Sequence, residues 1–137
     1  MKDNLITPLA ARLFEIDNEL DRFDFLALLS LNAQPFPREF KTDENRLVSC
    51  ETKTWYNLEY DGAVRLSVDS DSLFVRGLLI VLADIISNSD KKTIADGIGF
   101  ADECYARNII NDARRRSIIS LENIIKKYIT TIKENTK

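Results

Sequence analysis

The stretch Asn45–Leu82 reads NRLVSCETKTWYNLEYDGAVRLSVDSDSLFVRGLLIVL, and its interpretation decides the fold. Cys50 precedes a run patterned like a β-strand, with Trp55, the chain's one tryptophan, five residues on. Asp61-Gly62 is a favoured pair for a two-residue type I′ turn, in which both central residues take positive φ. Closing the hairpin there sets Trp55 opposite Val68, Asn57 opposite Leu66 and Glu59 opposite Val64. Trp55, Val64, Leu66 and Val68 then share one face, which is expected to point inward. Tyr56, Leu58 and Tyr60 fall on the other face, opposite Ser67, Arg65 and Ala63, so that face is expected to be partly covered too. Asp69-Ser70-Asp71 then reads as a helix cap. Ser70 or Asp69 would satisfy first-turn amides, and Asp71 would complement the positive end of the dipole. From Leu73 to Ile86 that helix is apolar nearly all round, which places it at the centre of the molecule. Gly77 inside it costs about 1 kcal/mol relative to alanine. A close backbone approach by another element would account for its presence.

On the N-terminal side, Leu5, Leu9, Leu13, Ile16 and Leu20 recur at helical spacings, with Pro8 suited to a first turn. Asp21 to Leu31 carries Phe23, Phe25, Leu26, Leu28, Leu29 and Leu31 and predicts a second, more buried helix. Asn32 is its expected terminator, Pro35 and Pro37 prevent continuation, and Phe36 between them is read as an anchor for the connector. Phe40 to Asn45 reads as loop. Beyond the central helix, Asn88 to Lys92 reads as a polar turn and Thr93 to Ile98 as a short helical piece ended by Gly97 and Gly99. Phe100 to Ile110 is expected to be helical, with Cys104 packed beside Phe100. Arg114 to Ile132 forms an amphipathic helix with Ile118, Leu121, Ile125, Tyr128, Ile129 and Ile132 on one side, and the Lys126 to Lys137 tail is expected to fray at its end.

Composition narrows the function. The chain has 137 residues, 45% of them hydrophobic and 30% charged, as expected for a single soluble domain over residues 1–137. A net charge of −3 offers no basic face for nucleic acid. No apolar run approaches the ~20 residues of a membrane span. Asp3, Glu15, Asp17 and Glu19 interrupt any signal-peptide core, so a cytoplasmic location is expected. There Cys50 and Cys104 would stay reduced, and their separation excludes a CxxC pair. The chain contains no histidine. That removes Cys-His and Ser-His nucleophile pairs and most zinc constellations. Neither a GxGxxG nor a GxxxxGK[ST] phosphate loop is present, and a self-sufficient enzyme is not expected.

With these pieces in place the chain resembles the SufE-type sulfur acceptors, partners of cysteine desulfurases in iron–sulfur cluster assembly. The first matching block is SCETKTW, Ser49 to Trp55, against a pattern of glycine-cysteine, three residues rich in glutamine and serine, a variable residue and tryptophan. The second is DSDSLFVRGLL, Asp69 to Leu79, close to the Asp-Ser-Asp-Ala…Val-Lys-Gly-Leu helix start. The third is the helix and proline connector from Asp21 to Pro37. The resemblance implies an α+β fold, a small antiparallel sheet around the hairpin at about residues 55–68 covered by helices. It also implies that Cys50 accepts a sulfane sulfur from the desulfurase persulfide and passes it to a cluster scaffold protein. The cysteine would rest on a loop facing a sheltered pocket and swing outward on docking. Glu51, Thr52, Asp71, Arg76, Arg115 and Arg116 are the implied loop or partner contacts. The partner is a pyridoxal-phosphate enzyme, no cofactor is implied for this chain, and a homodimer is compatible with the family.

The chain departs from the pattern at three places. Ser49 replaces the usual glycine, removing a free φ before the cysteine. Glu51 stands where glutamine is common, and a carboxylate beside a thiol disfavours the thiolate. The C-terminal motif of arginine, one or two polar residues, glycine and leucine is represented by RRRSIISL, in which the glycine is absent and the arginine's counterpart is either Arg115 or Arg116. Sulfur relay asks little of the acceptor beyond an accessible thiolate, and Lys53 or a C-terminal arginine could favour it. Cys104 reads as a small buried hydrophobe, and Trp55 as core or as a wall of the cysteine pocket. Ser49 and Glu51 motivate a second reading, a SufE-like binding or regulatory module that does not itself carry sulfur.

Overall fold

In the computed structural model, residues 1–135 are described, with side chains through Ile132. Helix α1 (Pro8–Glu15) starts behind Thr7, whose hydroxyl accepts from the Ala10 N–H at 3.2 Å. Helix α2 (Glu19–Asn32) is capped by Asn18 and leads into the proline connector and two 3₁₀ turns, Arg38–Phe40 and Asp43–Asn45. Strands β1 (Thr54–Tyr60) and β2 (Val64–Ser70) pair antiparallel. Helices α3 (Leu73–Ser87), α4 (Lys91–Asp96), α5 (Phe100–Ala106) and α6 (Asp112–Asn135) complete the chain. The expectation that the tail frays falls partly on residues 136–137, outside the described residues. The architecture is α+β, as the sequence implied.

Helix α3 is the centre. Leu78, Leu79, Val81, Leu82, Ile85 and Ile86 are essentially sealed, because α2, α1 and β2 pack on its different sides. Gly77 faces α2: a Cβ there would lie 2.3 Å from the Leu26 carbonyl oxygen. The close approach inferred from the glycine is therefore real, and Leu26 is its partner.

The hairpin exists, but its register differs from the expected one by one residue. Trp55 pairs with Asp69, Tyr56 with Val68, Leu58 with Leu66 and Tyr60 with Val64. Asp61 does not take positive φ; Gly62 alone does, at +103°, so Asp61-Gly62-Ala63 forms a three-residue loop. A slip of one residue exchanges the faces of β1. Tyr56, Leu58 and Tyr60 therefore join Val64, Leu66 and Val68 against the core, and Trp55 turns to the outer face. There the Lys41 ammonium stacks 4.5 Å from its ring centroid, and Lys41 also pairs with Asp69 at 3.1 Å.

Other boundaries are corrected by local chemistry. The cap of α3 is Ser72, which accepts from the Val75 N–H at 3.2 Å, because β2 extends through Ser70 and uses up the residues expected to cap. Helix α4 starts earlier than expected, behind an Asp90 cap. Helix α5 stops at Ala106, short of Ile110. Asn108 adopts φ +61°, the Ile109 N–H returns to the Cys104 carbonyl at 2.9 Å and the Asn108 N–H to Tyr105 at 3.1 Å, a Schellman closure. Helix α2 is less buried than its composition implied. Leu26 is sealed, whereas Phe23, Leu28 and Leu31 are 46%, 58% and 66% exposed. Phe36 is buried, as its anchoring role requires.

Candidate functional site

Cys50 sits on the loop between the second 3₁₀ turn and β1. The Leu47 N–H donates to the Thr54 carbonyl at 2.8 Å and closes the base of this loop, and the Cys50 N–H turns back to Leu47 at 3.2 Å. Leu47 is buried and anchors that base, while Val48, Ser49, Glu51 and Lys53 are exposed. The Cys50 side chain turns the other way and is half-buried. Beneath it the Thr54 hydroxyl, fully enclosed, approaches Sγ at 3.4 Å. From α6 the Ser117 hydroxyl donates to the Ser49 carbonyl at 2.8 Å.

Sγ faces a cavity of about 110 Å³. The loop supplies Cys50, Glu51 and Thr52, α3 supplies Val75, and the start of α6 supplies Ala113, Arg114 and Ser117 with Asn111 before it. The Asn111 carboxamide caps α6 by accepting from the Arg114 N–H at 2.9 Å. The Arg114 guanidinium lies 4.9 Å over the Phe74 ring, which holds a cation beside the cavity without neutralising it. The arrangement is a thiol at the rim of a small, mixed polar and apolar recess with one guanidinium in its wall. Among the described residues there is no group of three or more His, Cys, Asp or Glu able to hold a metal ion.

Of the residues expected at the site, Glu51 and Thr52 line the cavity with Cys50. The Asp71 N–H donates to the Lys53 carbonyl at 2.9 Å, fixing the end of the loop, while Asp71 itself is exposed. Arg76 lies elsewhere: it donates to the Ser30 and Gln34 carbonyls at 2.8 and 3.0 Å and pairs with Asp69 at 3.4 Å, binding the end of α2 to the hairpin. Arg115 pairs with Asp102 at 2.8 Å, and that bond is what raises its pKa first. Arg116 pairs with Asp112 and is exposed. Neither lines the cavity. Trp55 does not line it either, because of the register slip.

Arg114 and Ser117 were not singled out from the sequence, although a signal was present. Extending the apolar stripe Ile118, Leu121, Ile125 back by one turn reaches Arg114 and Ser117 on the same side of α6. The second cysteine is excluded. Cys104 is fully enclosed, and burial, with the Glu122 and Glu103 carboxylates adding to it, pushes its thiol up to about 12.

The family model "SufE: Fe-S metabolism associated domain" matches residues 8–127. The chain belongs to the SufE family. It is 25% identical over 118 residues to the "Cysteine desulfuration protein SufE" of Wigglesworthia glossinidia brevipalpis, a match covering 81% of this chain and 80% of that protein. A stretch of 73 residues is 32% identical to "Quinolinate synthase, chloroplastic" of Nicotiana tabacum, covering 51% of this chain and 10% of that much longer protein. Of the three adjacent arginines Arg114, Arg115 and Arg116, Arg114 alone lines the Cys50 cavity.

Proposed function

We propose that Cys50 is a sulfur acceptor that takes sulfane sulfur from a cysteine desulfurase and hands it on for iron–sulfur cluster assembly. The Cys50 thiolate attacks the outer sulfur of the partner's cysteine persulfide. A new S–S bond forms on Cys50, the partner's S–S bond breaks, and the partner's cysteine leaves as thiolate while the proton stays on the transferred sulfur. No net oxidation occurs. Desulfuration of cysteine belongs to the partner's pyridoxal chemistry, so this chain needs neither histidine nor cofactor. Removing the persulfide frees the desulfurase for its next turnover, which is how the acceptor stimulates it. The same exchange, repeated with a scaffold protein's thiol, unloads Cys50.

The observation that carries this reading is the contrast between the two cysteines. Cys50 lies on an exposed loop with its sulfur at a recess large enough for an added sulfur atom, whereas Cys104 is enclosed by core. Shelter in that recess slows oxidation of the loaded or unloaded thiol. The test is incubation with cysteine and a desulfurase from the same cell, followed by intact mass. A gain of about 32 Da, one sulfur, is expected in the wild type and absent in Cys50→Ala. Absence of the adduct with every desulfurase of that cell refutes the reading.

A further inference from the structure

Two buried hydroxyls hold the cysteine loop against the body of the protein, and each has a second acceptor within reach. The Thr54 hydroxyl is 0% exposed, so water cannot take its proton. It lies 3.4 Å from Cys50 Sγ, 3.0 Å from the Thr52 carbonyl and 3.0 Å from the Ser70 hydroxyl. Ser70 Oγ accepts from the Ser72 N–H at 3.2 Å, and its second lone pair can take the Thr54 proton. The single Thr54 proton is therefore available to the sulfur, to the Thr52 carbonyl or to Ser70 Oγ. Ser117 repeats the pattern on α6. It is 7% exposed, and its hydroxyl donates to the Ser49 carbonyl at 2.8 Å, with the Ala113 carbonyl of its own helix 3.2 Å away.

We propose that Thr54 and Ser117 are positioning residues that latch the Cys50 loop inward, and that both are built to let it go. A buried donor stripped of its partner normally opposes release strongly. Here the Ser70 hydroxyl on β2 and the Ala113 carbonyl on α6 stay in place when the loop departs, so the Thr54 and Ser117 protons each keep an acceptor and no enclosed donor is orphaned. What release forfeits is the difference between two acceptors. This inference rests on the proposed role of Cys50 in sulfur transfer, because only a thiol that must meet a protein partner needs such a release.

The test compares, at Cys50, the labelling rate of a bulky maleimide with that of a small methanethiosulfonate. Taking the ratio of the two rates cancels changes in ionisation and isolates access. Thr54→Val and Ser117→Ala should each raise the ratio by roughly two- to tenfold, the range commanded by one net hydrogen bond. Thr54→Ser, which keeps the hydroxyl, should return the wild-type ratio. An unchanged or lowered ratio in either deletion variant overturns the latch, and so does a Thr54→Ser ratio that matches Thr54→Val. No desulfurase is present in this assay. Its failure therefore refutes the latch, whereas failure of the mass-gain experiment refutes sulfur carriage.

Discussion

Replacing Gly77 by alanine tests the packing on which the site depends. The new Cβ would meet the Leu26 carbonyl oxygen at 2.3 Å, its Cβ at 2.7 Å and its carbonyl carbon at 2.8 Å. Two of these three atoms are backbone, so no rotamer change relieves the clash. Reaching an ordinary contact of 3.4 Å requires α2 and α3 to separate by about 1.1 Å at this point. Such a shift loosens the sealed contacts of Leu26, Leu78 and Leu79, and it stretches the Arg76 bonds to Ser30 and Gln34, now 2.8 and 3.0 Å. Overpacking costs about 1–3 kcal/mol, and two weakened hydrogen bonds add about 1–2 kcal/mol. Alanine's better helix propensity returns about 1 kcal/mol. The expected net loss is about 1–4 kcal/mol, read from urea unfolding followed by Trp55 fluorescence and circular dichroism. A Gly77→Ala protein as stable as the wild type, or more so, would refute the claim that the two backbones touch here.

Arg76→Lys should lower stability by about 1–3 kcal/mol, since an ammonium cannot reproduce the forked donation to two carbonyls; an unchanged melting temperature contradicts this. Arg114→Gln should slow sulfur loading of Cys50 about three- to tenfold, a larger loss than Arg115→Gln or Arg116→Gln produces. Stopped loading reactions analysed by mass decide the order. Glu122 accepts from the Gly99 and Ala101 N–H groups, both at 3.0 Å, and so caps α5 from α6. Burial raises its pKa, against the lowering effect of those N–H groups. Its protonation therefore favours the fold most below the ordinary carboxyl pKa, and that contribution fades as pH rises through the elevated folded value. The stability of the wild type relative to Glu122→Gln should fall across that window, and a pH-independent difference in denaturation midpoint would exclude the effect.

Much of this fold was legible because certain residues have few physical alternatives. A fifteen-residue apolar helix must lie inside, and a glycine within it must face something close. The cysteine loop was legible from its neighbours in sequence. The hairpin register was not: Asp-Gly serves a two-residue turn or part of a three-residue loop, and only the backbone angle of Asp61 separates the two. That single residue moved Trp55 from the expected core to the outer face. The exposed Leu28 and Leu31 escaped notice because composition reports how apolar a helix is and not which side another element covers. Arg114 was hidden among three adjacent arginines. Which of them faces Cys50 depends on the phase of α6, and that phase is set by the Asn111 cap and the apolar stripe that follows.

The unlike enclosure of the two thiols gives the native chain a pair of clocks. Under pulsed labelling, modification of Cys50 reports excursions of one loop, whereas modification of Cys104 awaits disruption of the packing around α5. A single reagent, applied to the unaltered protein, thus separates small fluctuations from wholesale unfolding within one mass spectrum.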